Sequence, residues 1–238
     1  MIIINAAFVV SDIHGQITQF KNILENWDRE KQMLFILGDL IDRGEDSLAV
    51  VREVMKLKKL YGKQIVVLKG NHEDMLLTFL DNPTYETGNH FFMNGGNTTA
   101  MDFTSDEHLM FRSYQERAEL MKERTDEIDF IRSFKDYYEF GDVLFVHGGI
   151  DPYIENWRNT QPHKFYWSRG WWNYSNRTGK TIVYGHTPTQ TVYEDKSNEI
   201  WIDSKNKYIN IDGGAVFGGQ LNAIVIDKSG EILSLNTA

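Results

Sequence analysis

The first eighty residues alternate between two hydrophobic patterns. Near-continuous apolar runs at 2–10 (IIINAAFVV), 32–37 (QMLFIL) and 64–69 (QIVVLK) read as buried strands. Between them apolar residues recur at helical spacing. Gln16 to Trp27 carries Ile17, Phe20, Ile23 and Leu24, and Ser47 to Leu60 carries Leu48, Val51, Val54, Met55 and Leu57. A third helix opens at HEDMLLTFL, 72–80. This alternation predicts a parallel sheet covered on both faces. Residues 82–136 break the pattern. A loop rich in Asn, Gly and Thr (82–100) leads into charged, Met-rich and Phe-rich helical segments that run to about Arg132. They read as a helical cap inserted over the sheet. From Tyr137 onward the runs are short and separated by turn residues: DVLFVHGG, KTIVYGHTP, QTVYE (190–194), EIWID, KYINIDGG, LNAIVID and EILSLN. The expectation is an α/β fold of two packed sheets with helices outside, in one domain spanning 1–238.

Composition narrows the chemistry. There are no cysteines, so disulfides, thiolate metal sites and cysteine nucleophiles are excluded, and a metal site must use His, Asp, Glu, Asn and water. The net charge of −9 argues against a broad basic face for nucleic acid or an anionic membrane. A small anionic substrate stays open, because a local cluster of metal and Arg can outweigh the global sign. The apolar opening lacks a basic n-region and runs straight into SDIHG, so it reads as a strand rather than a signal peptide. A soluble, cytoplasmic protein is expected.

Five apolar strands end in potential ligands. They deliver Asp12 and His14, Asp39 and Asp42, Asn71 and His72, His147, and His186. Ligands of open α/β sheets bind outside the carboxyl ends of the strands. A lone histidine there is ordinarily a capping residue, but four of the seven histidines recur in this context. Asp12 and His14, two apart in an extended chain, point the same way and suit one ion. Asp39 can bridge two ions with its two oxygens, and Asn71, His147 and His186 can complete the second. Oxygen and nitrogen ligands without sulfur suit Mn, Fe or Zn. Asp42 is free to orient His72 as a general acid, and Arg43 offers a planar fork for phosphate oxygens.

In order, SDIHG, GDLIDRG, GNHE, HGG and a later GH resemble the signature of the phosphoprotein phosphatases, within the calcineurin-like metallophosphoesterases. The resemblance covers residues 11–187, in the style of bacterial and bacteriophage-lambda-type serine/threonine phosphatases. It implies a central β-sandwich flanked by helices in α-β-β-α layers. It also implies two divalent ions, manganese first and iron or zinc as alternatives. Asp12, His14 and Asp39 would hold one ion, and Asp39, Asn71, His147 and His186 the other. His72 is implied as the acid with Asp42 its partner, and Arg43 as the first phosphate arginine. Arg169, in YWSRGWW, falls where the second belongs, with Arg158 and Arg177 as competitors. Ser11 stands where the pattern has glycine. The implied function is hydrolysis of phosphoserine and phosphothreonine, with phosphotyrosine a further option, by a monomer acting on a phosphorylated protein or peptide. The alternative is a symmetrical dinucleoside-tetraphosphate hydrolase using the same metals. A non-catalytic binding module ranks third, because every ligand and His72 are in place. Other partial motifs fail on spacing: HEDML has Leu76 where a zinc-protease helix needs its second His, and GKT at 179–181 has Tyr174 where a P-loop needs glycine.

Overall fold

The computed structural model describes residues 4–205 and 207–238, so Ile2 and Ile3 of the first apolar run lie outside the described residues. Two five-stranded mixed sheets pack face to face. The first contains β1 (Ala6–Val10), β2 (Gln32–Ile36), β3 (Ile65–Val67), β9 (Asn222–Asp227) and β10 (Ile232–Thr237), in the order β10–β9–β1–β2–β3. The second contains β4 (Tyr137–Phe140), β5 (Val143–Val146), β6 (Thr181–Tyr184), β7 (Trp201–Ile202) and β8 (Tyr208–Asn210), in the order β4–β5–β6–β8–β7. In each sheet three adjacent strands run parallel: β1, β2 and β3 in one, β5, β6 and β8 in the other. Their carboxyl ends therefore form a common edge.

The period-two alternation of strand side chains builds the layers. In β1, Ala7 and Val9 face the second sheet while Phe8 and Val10 face the helices. Phe35 and Phe145 also point between the sheets, with ring centroids 4.4 Å apart. On the outer face of the second sheet, Leu144, Val146, Ile182 and Tyr184 pack against Trp157, Phe165 and Trp171. The helices are α1 (Ile17–Ile23), α2 (Ser47–Tyr61), α3 (Asn71–Asp81), α4 (Tyr85–Phe91), α5 (Asn97–Thr104), α6 (Tyr114–Lys122), α7 (Thr125–Arg132) and α8 (Pro162–Trp167). The expected sandwich flanked by helices is thus present.

Three expectations change. The stretch 82–100, expected as a loop, is largely helical. Thr84 caps α4 through the Thr87 amide, and Phe91, Ala100 and Phe103 are buried in the same core as α2 and α3. Weak helix propensity is overridden there by packing of an apolar face. The helices of 85–132 rest on α2 and α3 rather than standing apart from them. QTVYE is not a strand. Thr189–Thr191 is a 3₁₀ turn, and the amides of Val192 and Tyr193 both donate to the Thr189 carbonyl, leaving them no ladder to join. The helix expected over Gln16–Trp27 stops at Ile23 and tightens to 3₁₀ geometry over Leu24–Asn26.

Phe35 is fully buried and also meets Tyr138 and Phe140 edge-on, at 5.2 and 5.5 Å. Phe35→Ala should therefore destabilise the protein by about 3–5 kcal/mol, the range for an aromatic cavity in a core. Urea unfolding would show it; a loss under about 1 kcal/mol would mean that the sheets close around the gap.

Candidate metal centre

The parallel ladders continue past the strands and carry the ligands with them. Leu37 N donates to Val10 O, Leu68 N to Ile36 O, Gly185 N to His147 O, and Ile211 N to Tyr184 O. The chain then turns sharply. Among the described residues, six of the eight non-glycine residues with positive φ are Asp12 (54°), His14 (45°), Asp39 (54°), Asp42 (70°), Arg43 (70°) and His186 (66°). Left-handed backbone is unfavourable for side chains with a Cβ, and it persists only where the surroundings hold it. It also replaces the extended geometry expected for 12–14: the turn after β1, not strand alternation, presents Asp12 and His14.

Asp39 Oδ2 is the hub. His147 Nε2 lies 3.4 Å away, His14 Nε2 3.5 Å and His72 Nε2 4.0 Å. Asp39 Oδ1 accepts the His72 backbone N–H at 3.0 Å, so Oδ2 is the oxygen that faces the imidazoles. Two groups able to hold a metal ion share this residue: His14, Asp39 and His72, and Asp39, His147 and His186. Asn71 Oδ1 joins the second, 3.1 Å from His147 Nε2 and 2.7 Å from His186 Nδ1. Asp12 faces the same loop. Its carboxylate accepts from the His186 amide at 3.0 Å and from Ser11 Oγ at 2.5 Å.

The donor chemistry fits divalent cations. His14 Nδ1 and His147 Nδ1 each lie 2.8 Å from a backbone carbonyl, of Ile41 and Leu37, which places the ring proton there and turns Nε2 inward. His186 Nε2 and His72 Nε2 are buried without a hydrogen-bond partner, as an atom awaiting a ligand or a substrate would be. Burial, then His72, holds the His14 imidazole well below its usual pKa; burial, then His147, does the same for His186. Both are neutral donors. Burial pushes His147 down, but Asp39 and Asp12 outweigh it and raise its pKa to about 9. Burial pushes Asp39 up, but His147 and His72 overcome this and keep it ionised.

The remaining expected residues also gather here. His72 Nδ1 is 2.7 Å from Asp42 Oδ2, and both side chains are fully buried. Arg43 Nη1 is 2.7 Å from His14 Nε2. Arg169 donates to Thr187 Oγ1 at 2.9 Å and lies within electrostatic reach of Asp12, Asp212, Asp39 and Arg43. Its competitors are elsewhere: Arg158 pairs with Glu139 on β4, and Arg177 lines a cleft beside Ile150, Asp151 and Trp157.

Three residues that shape the site were not singled out in the sequence, and a fourth was discounted. Glu73, the last letter of GNHE, is buried and accepts from the amides of Asp39, Leu40 and Gly70 at 2.7–2.9 Å, tying two ligand loops together. Asp212 is buried just beyond a sixth strand, β8; its DGG context was the available signal. Thr99 Oγ1 donates to Asp42 Oδ1 at 2.6 Å from a helix hidden in the apparent loop. Ser11, set aside as a non-ligand, bonds the Asp12 carboxylate directly.

A buried cluster of imidazoles and carboxylates at the edge of a helix-flanked sandwich marks a metal-dependent hydrolase. The chain belongs to the calcineurin-like phosphoesterase family, whose model matches residues 7–219. A symmetrical bis(5'-nucleosyl)-tetraphosphatase of Wigglesworthia glossinidia brevipalpis is 42% identical over 72 residues, covering 29% of this chain and 25% of that protein. This chain thus spans about a quarter of that relative's length. The asymmetrical bis(5'-nucleosyl)-tetraphosphatase PrpE of Bacillus cereus (strain 03BB102) is 27% identical over 252 residues, covering 91% of this chain and 88% of PrpE. Among solved structures, a protein described as a candidate diadenosine tetraphosphatase superposes with a TM-score of 0.63 at 18% identity, covering 99% of this chain and 94% of its own. A serine/threonine phosphatase of Saccharomyces cerevisiae with similarity to human PP5 also reaches 0.63, at 17% identity, covering 98% and 79%. Members of this family use a dinuclear divalent metal centre, and the donors described above fit one.

Glu73, raised to about 7 by burial and by Asp39, and His147, raised to about 9, both hold protons more tightly folded than unfolded. Each contributes stability that is complete below its ordinary pKa (4.5 and 6.5) and is lost as pH rises through 7 and 9. Chelator-stripped protein should therefore lose stability steadily from pH 6 to pH 9, more steeply than manganese-loaded protein, in which a cation replaces the His147 proton. Urea midpoints across that range test this; equal slopes in both forms would refute it.

Proposed function

We propose that this chain hydrolyses a dinucleoside tetraphosphate at a dinuclear metal centre, with His72 as the general acid. The buried His72–Asp42 pair carries the chemistry. Burial lowers the His72 pKa, but Asp39 and Asp42 outweigh it and raise it above the ordinary value, which favours the protonated ring a general acid needs. Asp42 fixes Nδ1, Thr99 fixes Asp42, and Nε2 faces the Asp39 side of the site. From there His72 gives its proton to the departing oxygen. Arg43 and Arg169 grip the phosphoryl oxygens and hold phosphorus in line. Asp12, His14 and Asp39 would hold one divalent ion, and Asp39, Asn71, His147 and His186 the other, with manganese the first choice. Such a pair supplies an acidified water and neutralises charge on the phosphoryl group. No Ser or Cys nucleophile is needed.

Relatives named as tetraphosphatases, aligned along 91% of the chain, support the substrate. The resemblance in the motifs put phosphoserine and phosphothreonine first; these relatives favour the dinucleotide. The likeness to the yeast phosphatase, at 17% identity, speaks only to the fold. A cytoplasmic monomer remains part of the proposal.

With manganese-reloaded protein, kcat/KM for diadenosine tetraphosphate should exceed that for a phosphothreonine peptide, and the reverse order would return the chain to the protein phosphatases. His72→Asn should lower kcat by about 10²–10⁴ while elemental analysis still finds two ions per chain; unchanged turnover would remove His72 from its role. Asp39→Asn should deplete both ions, because both groups share that carboxylate.

A further inference from the structure

Phe217 is 61% exposed, yet it does not project idly into solvent. The Arg43 guanidinium carbon lies 5.1 Å from its ring centroid. Its loop is built to hold it there. Ala215–Phe217 forms a 3₁₀ turn between two left-handed glycines, Gly214 (φ 67°) and Gly218 (φ 83°). The Gly214 amide donates to the buried Asp212 carboxylate at 3.0 Å, and the Phe217 and Gly219 amides return to Gly214 O at 2.9 and 3.0 Å. Ala215 is anchored in the core. A loop fixed at both ends thus carries an exposed aromatic ring to the phosphate-binding arginine.

We propose that Phe217 is the stacking platform for the nucleobase attached to the phosphate that Arg43 holds. This rests on the phosphohydrolase role of Arg43 given above. An arginine lying against a ring still directs its in-plane donors at oxygens. The rest of the exposed ring offers a π-face beside the bound phosphate, and base stacking tolerates any base identity. The three tryptophans of YWSRGWW are already engaged. Trp167 borders His186, but His90 stacks on it at 5.4 Å and its Nε1 donates to Asp74 at 3.0 Å. Trp171 is buried, and Trp172 stacks on Tyr184.

Adenosine 5'-monophosphate and ribose 5-phosphate share the phosphate and sugar and differ by the base. Calorimetric titration of both into manganese-loaded wild type, Phe217→Leu and Phe217→Trp isolates the platform. Wild type should bind the nucleotide more tightly by about 5- to 150-fold, the range for one stacked base. Phe217→Leu, which keeps apolar cover for Arg43, should bring that ratio towards one, and Phe217→Trp should preserve or widen it. If Phe217→Leu leaves the ratio unchanged, or weakens both ligands equally, the ring only braces Arg43 and the proposal is overturned. If turnover of a phosphotyrosine peptide depends on Phe217 while the nucleotide ratio does not, the ring serves a tyrosyl group instead, and the nucleobase assignment fails. A preference for phosphopeptide over diadenosine tetraphosphate would sink the substrate reading separately, since the binding ratio needs no turnover.

Discussion

Five carboxylates are buried where the two sheets' parallel edges meet: Asp12, Asp39, Asp42, Glu73 and Asp212. Unpaired charge in a protein interior is prohibitive, so each must find a proton, a donor or a cation. The neighbourhood divides these tasks. Asp42 takes the His72 ring on one oxygen and the Thr99 hydroxyl on the other. Glu73 takes three backbone amides. Asp12 takes Ser11 and the His186 amide. Asp39 faces three imidazoles through one oxygen. The balance is closest around Asp39 and Asp12, whose charges hold a proton on His147 well above neutrality. That is where cationic charge is most strongly favoured.

Satisfying the carboxylates also ties the architecture together. His147 comes from the second sheet and donates to Leu37 O beyond β2 of the first. His186, also from the second sheet, gives its amide to Asp12. The two sheets are therefore joined by apolar packing through the middle and by polar bonds at one edge. Those bonds have direction, so the register between sheets is set there, whereas the Phe35 and Phe145 interface supplies adhesion.

Much of the centre was legible in the sequence because its residues follow strands directly. An apolar run ending in Asp, Asn or His beside glycine is a local signal, and β1, β2, β3, β5 and β6 all give it. Contributions that depend on long-range packing were not legible. Thr99 meets Asp42 across 57 positions, from a helix whose Asn, Gly and Thr content reads as loop. What makes it helical is the burial of Phe91, Ala100 and Phe103 against distant elements. QTVYE misled in the opposite sense: its alternation has strand character, but its amides close a turn on Thr189. The short distance between Asp12 and His14 was read as extended chain, and only the backbone angles show two left-handed residues.

Those angles bear on how such a site can change over evolutionary time. At Asp12, His14, Asp39, Asp42 and His186 the side chain must suit the chemistry, and the backbone must also tolerate a positive φ. Asp, Asn and His are among the residues that enter this conformation most readily; β-branched residues resist it. A neutral drift that swaps aspartate for valine thus meets two independent barriers at one position. The viable mutational paths are few and pass mainly through asparagine and glycine, so loss of function in this lineage would leave a recognisable trail of Asn and Gly at the old ligand positions.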